Sequence, residues 1–224
     1  QTTYATIPDL APCAIASAAR CSPGAFSALP TWANDIAFGP DGSAYVTDLQ
    51  ASTIFRVPPG GGDATIWYRD RRFDSVFGLN GITVNPDGDR LLFALTGSLQ
   101  PTTPLQGIVY SLPIVASPQP ADLEVFHVFT QPVAGPDGIA FGASGRLYVI
   151  LAGSNQMAIL DPDGSEVATF PNPVTNLTQD IPYDAPASAA FDGAGSLLIT
   201  NHAFFTGLGS HWAVLRAFVN DTAA

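Results

Sequence analysis

A chain of 224 residues that is 46% hydrophobic is long enough to enclose a core, and one domain is the default. With 8 basic residues against 19 acidic ones the net charge is −11, a field that repels nucleic acid and anionic lipid and excludes both as partners. No run of about 18 apolar residues offers a membrane span, and the 21 Gly and 20 Pro residues suit many short strands joined by turns.

Residues 2–7 (Thr-Thr-Tyr-Ala-Thr-Ile) predict a strand whose sheet partners lie upstream. A Pro- and Ala-rich loop over 8–33 follows, read either as a lid over one face or as an ordinary pinned connection. It holds Cys13 and Cys21. Two cysteines this close in an otherwise cysteine-free chain point to a disulfide and an oxidising compartment, with two free thiols as the alternative. The sequons Asn176-Leu177-Thr178 and Asn220-Asp221-Thr222 add weight to a secreted glycoprotein. A start at Gln1 without an initiating Met suggests a processed, trimmed or incomplete chain.

From residue 33 onward one line recurs. Its first copy is Asn34-Asp35-Ile36-Ala37-Phe38-Gly39-Pro40-Asp41-Gly42, leading into Ala44-Tyr45-Val46-Thr47-Asp48. The second, Asn80-Gly81-Ile82-Thr83-Val84-Asn85-Pro86-Asp87-Gly88, leads into Arg90-Leu91-Leu92-Phe93-Ala94-Leu95. Asp137-Gly138-Ile139-Ala140-Phe141 and Ala187-Ser188-Ala189-Ala190-Phe191 open the third and fourth. The copies begin at 34, 80, 137 and 187, spacings of 46, 57 and 50 residues. Each is a predicted β-hairpin whose turn uses Gly at positive φ. Further apolar pairs bring each repeat to four strands, the signature of a β-propeller blade; a β-sandwich is the alternative.

The expected fold is therefore all-β, with blades at 34–79, 80–136, 137–186 and 187–224, and with 1–33 as the outer strand of a preceding blade plus the loop. A six-bladed ring at about 50 residues per blade needs on the order of 300 residues. About two N-terminal blades are expected to be missing, lost by proteolysis or supplied by a separate chain, because an open arc would expose unpaired edges.

The starts of the inner strands converge on the propeller axis, which brings together Asn34, Asn80, Asp137 and Ala187. Two amide carbonyls and one carboxylate make a hard-cation site. Calcium is preferred over a transition metal because no Cys or His stands at the repeat position. The competing reading is that such side chains bond their own backbone.

Asn34-Asp35-Ile36-Ala37, Leu79-Asn80-Gly81-Ile82 and Gly135-Pro136-Asp137-Gly138-Ile139-Ala140 resemble motifs of the regucalcin and gluconolactonase-like six-bladed propellers, a resemblance that extends over about residues 34–200. It implies a central divalent cation held by a Glu, two Asn and an Asp. Asn34, Asn80 and Asp137 match, while the Glu has no counterpart in residues 1–33, which contain none. It further implies hydrolysis of a small-molecule lactone or ester, with Ca²⁺ polarising the carbonyl. Asp137 is the family-like catalytic carboxylate and His202 a second candidate, whose plain alternative is packing; His127 and His211 fall on outer strands. Asp48 is read either as lining the pocket or as supporting it from behind. A secreted, calcium-dependent hydrolase is the leading expectation. A non-catalytic propeller that binds a ligand or protein is the alternative. Specificity is expected in the loops 8–33, 97–107 and 203–210.

Overall fold

The computed structural model describes residues 3–10, 31–51, 53–75, 77–131 and 133–224; the expected Cys13–Cys21 disulfide lies outside them. A two-residue strand, β1 (Ala5–Thr6), precedes the blades. The first blade holds β2 (Ala33–Phe38), β3 (Ala44–Asp48), β4 (Thr53–Val57) and, beyond the short β5 (Gly62–Asp63), β6 (Thr65–Arg69). In the second are β7 (Leu79–Val84), β8 (Arg90–Leu95), β9 (Ile108–Pro113) and β10 (Glu124–Val128). The third has β11 (Pro136–Phe141), β12 (Leu147–Leu151), β13 (Gln156–Leu160) and β14 (Glu166–Phe170), and the fourth β15 (Pro186–Phe191), β16 (Ser196–Asn201) and β17 (Ala213–Phe218). Each blade is an antiparallel meander, of four strands in the first three and of three strands, among the described residues, in the last.

The expected hairpins are the first two strands of every blade. Gly42, at φ 80°, closes the first in a conformation that a side chain would strain. Within this chain the strand β1 pairs with β5, with Ala5 opposite Gly62 and Thr6 opposite Asp63 in parallel register. Its neighbours Ile7 and Leu10 pack with Ala5 against the cluster of Ala44, Val46, Phe55, Val57 and Ala64, so this segment covers the outward face of the first blade.

Burial patterns follow from which faces are covered. The strands β3 and β12 are buried at every position, as expected where a sheet is sandwiched between neighbours and apolar on both faces. Phe73 links the first two blades, its ring 5.3 Å from Phe93 and 5.5 Å from Tyr110, while Tyr45 meets Trp67 edge-on at 4.7 Å. Full burial of one such ring stabilises by about 1.5–3 kcal/mol. A second cluster around Leu147, Val149 and Val109 joins the second blade to the third, and a third around Ile150, Met157 and Ile199 joins the third to the fourth. In β16 the pattern changes to alternation, with Leu198 and Thr200 exposed. Val214 and Phe218 of β17 are exposed as well. One face of the fourth blade is thus covered and the other is not. Among the described residues no helix is long and apolar enough to cross a membrane.

Candidate active site

All four inner strands carry the same irregularity at their start. Pairing breaks between Ala33 and Ile36, Leu79 and Ile82, Pro136 and Ile139, and Pro186 and Ala189, and in each case three steps on the inner strand match two on its partner. The extra residue makes a β-bulge, which re-aims side chains out of the alternation of a regular strand. The bulged pairs are Asn34-Asp35, Asn80-Gly81, Asp137-Gly138 and Ala187-Ser188. All of these except Asn80 line one cleft of about 240 Å³, together with His202. The expected convergence of Asn34 and Asp137 is therefore present, with Asn80 buried beside Gly81 at 7% exposure.

The pinch between blades dictates the second residue of two pairs. A Cβ on Gly81 would stand 2.3 Å from the Asp137 carbonyl oxygen, and one on Gly138 would stand 2.6 Å from Ser188 Cα, so neither position admits a side chain. At the first and fourth blades the second residues are Asp35 and Ser188, which bring functional groups to the cleft wall. Asp35 was not singled out from the sequence. Its Oδ2 accepts from the Ile82 N–H at 3.0 Å, tying the first blade to the second, and its Oδ1 accepts from the Ile36 N–H at 2.8 Å. Threonines one strand outward hold the bulges in register. Thr47 Oγ1 donates to the Asn80 carbonyl at 2.6 Å, and Thr96 Oγ1 to the Pro136 carbonyl at 2.9 Å.

The electrostatics mark this cleft. Burial raises Asp35 above the usual carboxylate range, partly offset by its two backbone N–H donors. Burial and then the charge of Asp35 push Asp137 up to about 7. Two carboxylates crowded in a desolvated site are a feature of functional sites. Asn80 Nδ2 donates to Thr96 Oγ1 at 3.2 Å, whereas its Oδ1 is buried with no partner among the described residues. An orphaned buried carbonyl calls for an explanation, and a bound cation supplies one. Among the described residues no three His, Cys, Asp or Glu side chains gather as a metal cluster. The oxygen donors on offer are the amides of Asn34 and Asn80 and the carboxylates of Asp35 and Asp137, an all-oxygen set that fits a hard cation. His202 is exposed at the cleft wall, its ring 5.8 Å from Phe204.

Other sequence candidates fall elsewhere. Asp48 is fully buried and organises a turn: its carboxylate accepts from the backbone N–H groups of Trp32 at 2.5 Å, Gln50 at 3.0 Å and Ala51. It supports the start of the bulged strand and does not line the cleft. His127 lies on the outer strand β10, as expected. His211 does not lie on an outer strand; it stands in the 3-10 turn Gly209–His211, with Nδ1 donating to Asp184 at 2.7 Å. Asn176 is 6% exposed and its amide is spent on Tyr183, donating to the carbonyl at 2.9 Å and accepting from the N–H at 2.8 Å. A glycan on that nitrogen requires both bonds to break, whereas Asn220 is exposed. A larger groove lies at the hairpin-turn end of the second and third blades, but its one cation, Arg90, is bonded to Glu124 at 2.7 Å.

Comparison with known proteins agrees with this fold. The family described as the SMP-30/gluconolactonase/LRE-like region matches residues 25–202. No curated protein matches the chain. Among solved structures, a calcium-binding regucalcin from Agrobacterium tumefaciens is 20% identical with a TM-score of 0.62, over 86% of this chain and 62% of that one. A gluconolactonase from Xanthomonas campestris is 18% identical with a TM-score of 0.53, over 75% of this chain and 54% of the other. Virginiamycin B lyase from Staphylococcus aureus, at 20% identity and TM-score 0.54, is covered over 49% of its length by 77% of this chain. At these identities the structures establish a shared fold, and the chain spans less than two thirds of each of these relatives.

Proposed function

We propose that this chain, which belongs to the SMP-30/gluconolactonase/LRE-like family, is part of a calcium-dependent hydrolase of lactones or related esters. The observation that carries the reading is the fourfold bulge, which turns Asn34, Asp35, Asp137 and Ser188 onto one cleft beside His202, next to the unpartnered Asn80 Oδ1. Asn34, Asn80 and Asp137 would hold the ion. When bound, calcium supplies Lewis-acid polarisation of the substrate carbonyl and charge to offset the developing oxyanion.

The chain's own groups have distinct tasks. Asp35 and Asp137 make the cleft anionic, and the raised position of Asp137 means that it exchanges a proton near neutral pH unless a cation holds it ionised. His202, on the cleft wall, takes the proton from the attacking water and returns one to the leaving oxygen. Ser188 supplies a hydroxyl that orients the substrate. The reading extends to a secreted protein with a Cys13–Cys21 disulfide and a glycan at Asn220, Asn176 being left out because its amide is buried. It also takes the uncovered apolar face of the fourth blade, with Val214 and Phe218 exposed, as the seat of further propeller blades from an N-terminal fragment.

The test is a screen of lactones, esters and phosphotriesters on the complete natural protein, with and without chelator, repeated on Asn80→Ala, Asp137→Ala and His202→Gln. Turnover that needs calcium and is lost with the ligand variants is expected. His202→Gln is expected to keep its calcium while losing on the order of 10²–10⁴ in rate. Undiminished calcium binding and activity in Asn80→Ala or Asp137→Ala refutes the reading, and calcium binding without turnover favours a non-catalytic propeller.

A further inference from the structure

Beyond the cleft, the loop 202–212 between β16 and β17 has an unusual composition. Its eleven residues, His202-Ala203-Phe204-Phe205-Thr206-Gly207-Leu208-Gly209-Ser210-His211-Trp212, include no Asp, Glu, Lys or Arg. Phe204 is 67% exposed and Phe205 65% exposed, and Leu208 and Trp212 are exposed as well. The rings form a continuous path that starts at the cleft. His202 lines the cleft, Phe204 meets His202 edge-on at 5.8 Å, and Phe205 meets Phe204 edge-on at 5.3 Å.

Exposed aromatics on a loop would ordinarily be loose, but this loop is fastened from beneath by one buried residue. Asp184 is 3% exposed. Its carboxylate accepts from His211 Nδ1 at 2.7 Å and from the Thr206 hydroxyl, and its backbone carbonyl accepts from the Ala203 N–H at 2.8 Å. Asn201 adds a second tie, its Nδ2 donating to the His211 carbonyl at 2.7 Å while its Oδ1 accepts from the Asp184 N–H at 2.8 Å. The bonds to the Asp184 carboxylate are charge-assisted and the stronger ones. The loop is thus held at its start, middle and end, with the two phenylalanines between fixed points.

The rest of the cleft lining is different in character. Among the described residues no arginine lines the cleft, whereas Asp35 and Asp137 do. A polyhydroxylated substrate finds the carbon faces of Phe204 and Phe205 next to His202, and Thr206 and His211 already bonded to Asp184. We infer that the loop 202–212 is a preorganised apolar wall for the ring substituent of the substrate, so that the cleft selects lactones or esters bearing an alkyl or aryl group over sugar lactones. This rests on the hydrolase reading for the reacting bond and on the aromatic path for the substituent.

The two are separable by experiment. On the complete natural protein with calcium, γ-valerolactone and γ-decanolactone differ by five methylenes. Complete burial of a methylene is worth roughly four-fold in partitioning, and half-burial against a wall about two-fold, so kcat/KM is expected to rise about 30-fold across the pair. Phe204→Ser/Phe205→Ser, which alters exposed positions and whose folding is checked by circular dichroism, is expected to reduce that ratio to about five-fold or less, on the same area argument. Glucono-δ-lactone is expected to be the poorer substrate. The same ratio is measured without chemistry by calorimetric binding of 2-methyl- and 2-hexylcyclopentanone, which cannot be hydrolysed. A chain-length preference in binding that the double variant loses, with no lactone turned over, supports the wall and removes the hydrolase reading. Equal affinity for the two ketones, or a preference unchanged in the double variant, overturns the wall whatever the enzyme does.

Discussion

Replacing Asp137 by Asn in the calcium-free protein isolates the electrostatics of the cleft. Asp137 is raised from 3.8 to about 7, by burial first and then by Asp35. A carboxyl whose folded pKa lies above its unfolded one binds more protons when folded. Stability is therefore highest below about pH 4 on its account and falls as pH rises through 7. Roughly three units at 1.36 kcal/mol each give about 4 kcal/mol, which residual solvent contact reduces to about 2–4 kcal/mol. Asp35 is raised as well, again by burial first, and adds a slope of the same sign. The hydrogen-bonded Asp41, Asp70, Asp163 and Asp192 are held below the carboxylate range, so their titration falls below this window. Urea unfolding in chelator at pH 5 and pH 8 is the assay. The parent is expected to lose about 1–2.5 kcal/mol between the two, since only the two units from pH 5 to about 7 fall between them, and Asp137→Asn to lose markedly less and to be the more stable protein at pH 8. Calcium at 100 times its dissociation constant is expected to return about 2.7 kcal/mol to the parent and little to the variant. Parent stability that is flat from pH 5 to pH 8 in chelator, or a variant no more stable than the parent at pH 8, refutes the argument.

Three further outcomes follow from packing and hydrogen bonding. Asp184→Asn keeps the shape of the buried anchor but weakens its bonds to His211 and Thr206, so chymotrypsin is expected to cut at Phe204 or Phe205 several-fold faster than in the parent while the blades stay folded by circular dichroism. Asp221 fastens the C-terminal segment to the third blade, accepting from Ser144 Oγ at 2.5 Å and from Tyr148 Oη at 3.0 Å. Asp221→Ala should cost about 1–3 kcal/mol in urea unfolding. For Asp221 burial opposes ionisation, and the Ser144, Thr222 and Tyr148 bonds overcome it. Its contribution is accordingly present above about pH 4 and disappears as pH falls further. Phe93 is fully buried between the first two blades, and Phe93→Ala is expected to cost about 3–5 kcal/mol, measured the same way.

The blades were legible because each inner hairpin repeats apolar strand, Gly turn and apolar strand, and repetition at a spacing near 50 residues leaves few folds to choose from. Burial on both faces was less so. Only the contrast between the fully buried β12 and the alternating β16 reveals which blade has an uncovered flank, and that contrast depends on neighbours. Short polar side chains were the least legible. Asp48 in its turn, Asn176 on Tyr183 and His211 on Asp184 are chemically suited to a pocket, a glycan or a catalytic site, and each is instead spent on local bonds that the sequence does not announce. Asp35 is hidden in the sequence for a different reason. A regular strand sends alternate residues to opposite faces, so a repeat position aimed at the axis gives no sign that its neighbour in the chain also reaches it. A bulge suspends that alternation and, at three of the four pairs, turns both residues onto the cleft wall. The four pairs then divide their work: the first positions, Asn34, Asn80 and Asp137, carry oxygen donors, and the second are glycine where blades pinch and Asp35 or Ser188 at the two ends of the arc. A side chain that binds and a glycine that lets the blades close are adjacent in the chain because one bulge requires both.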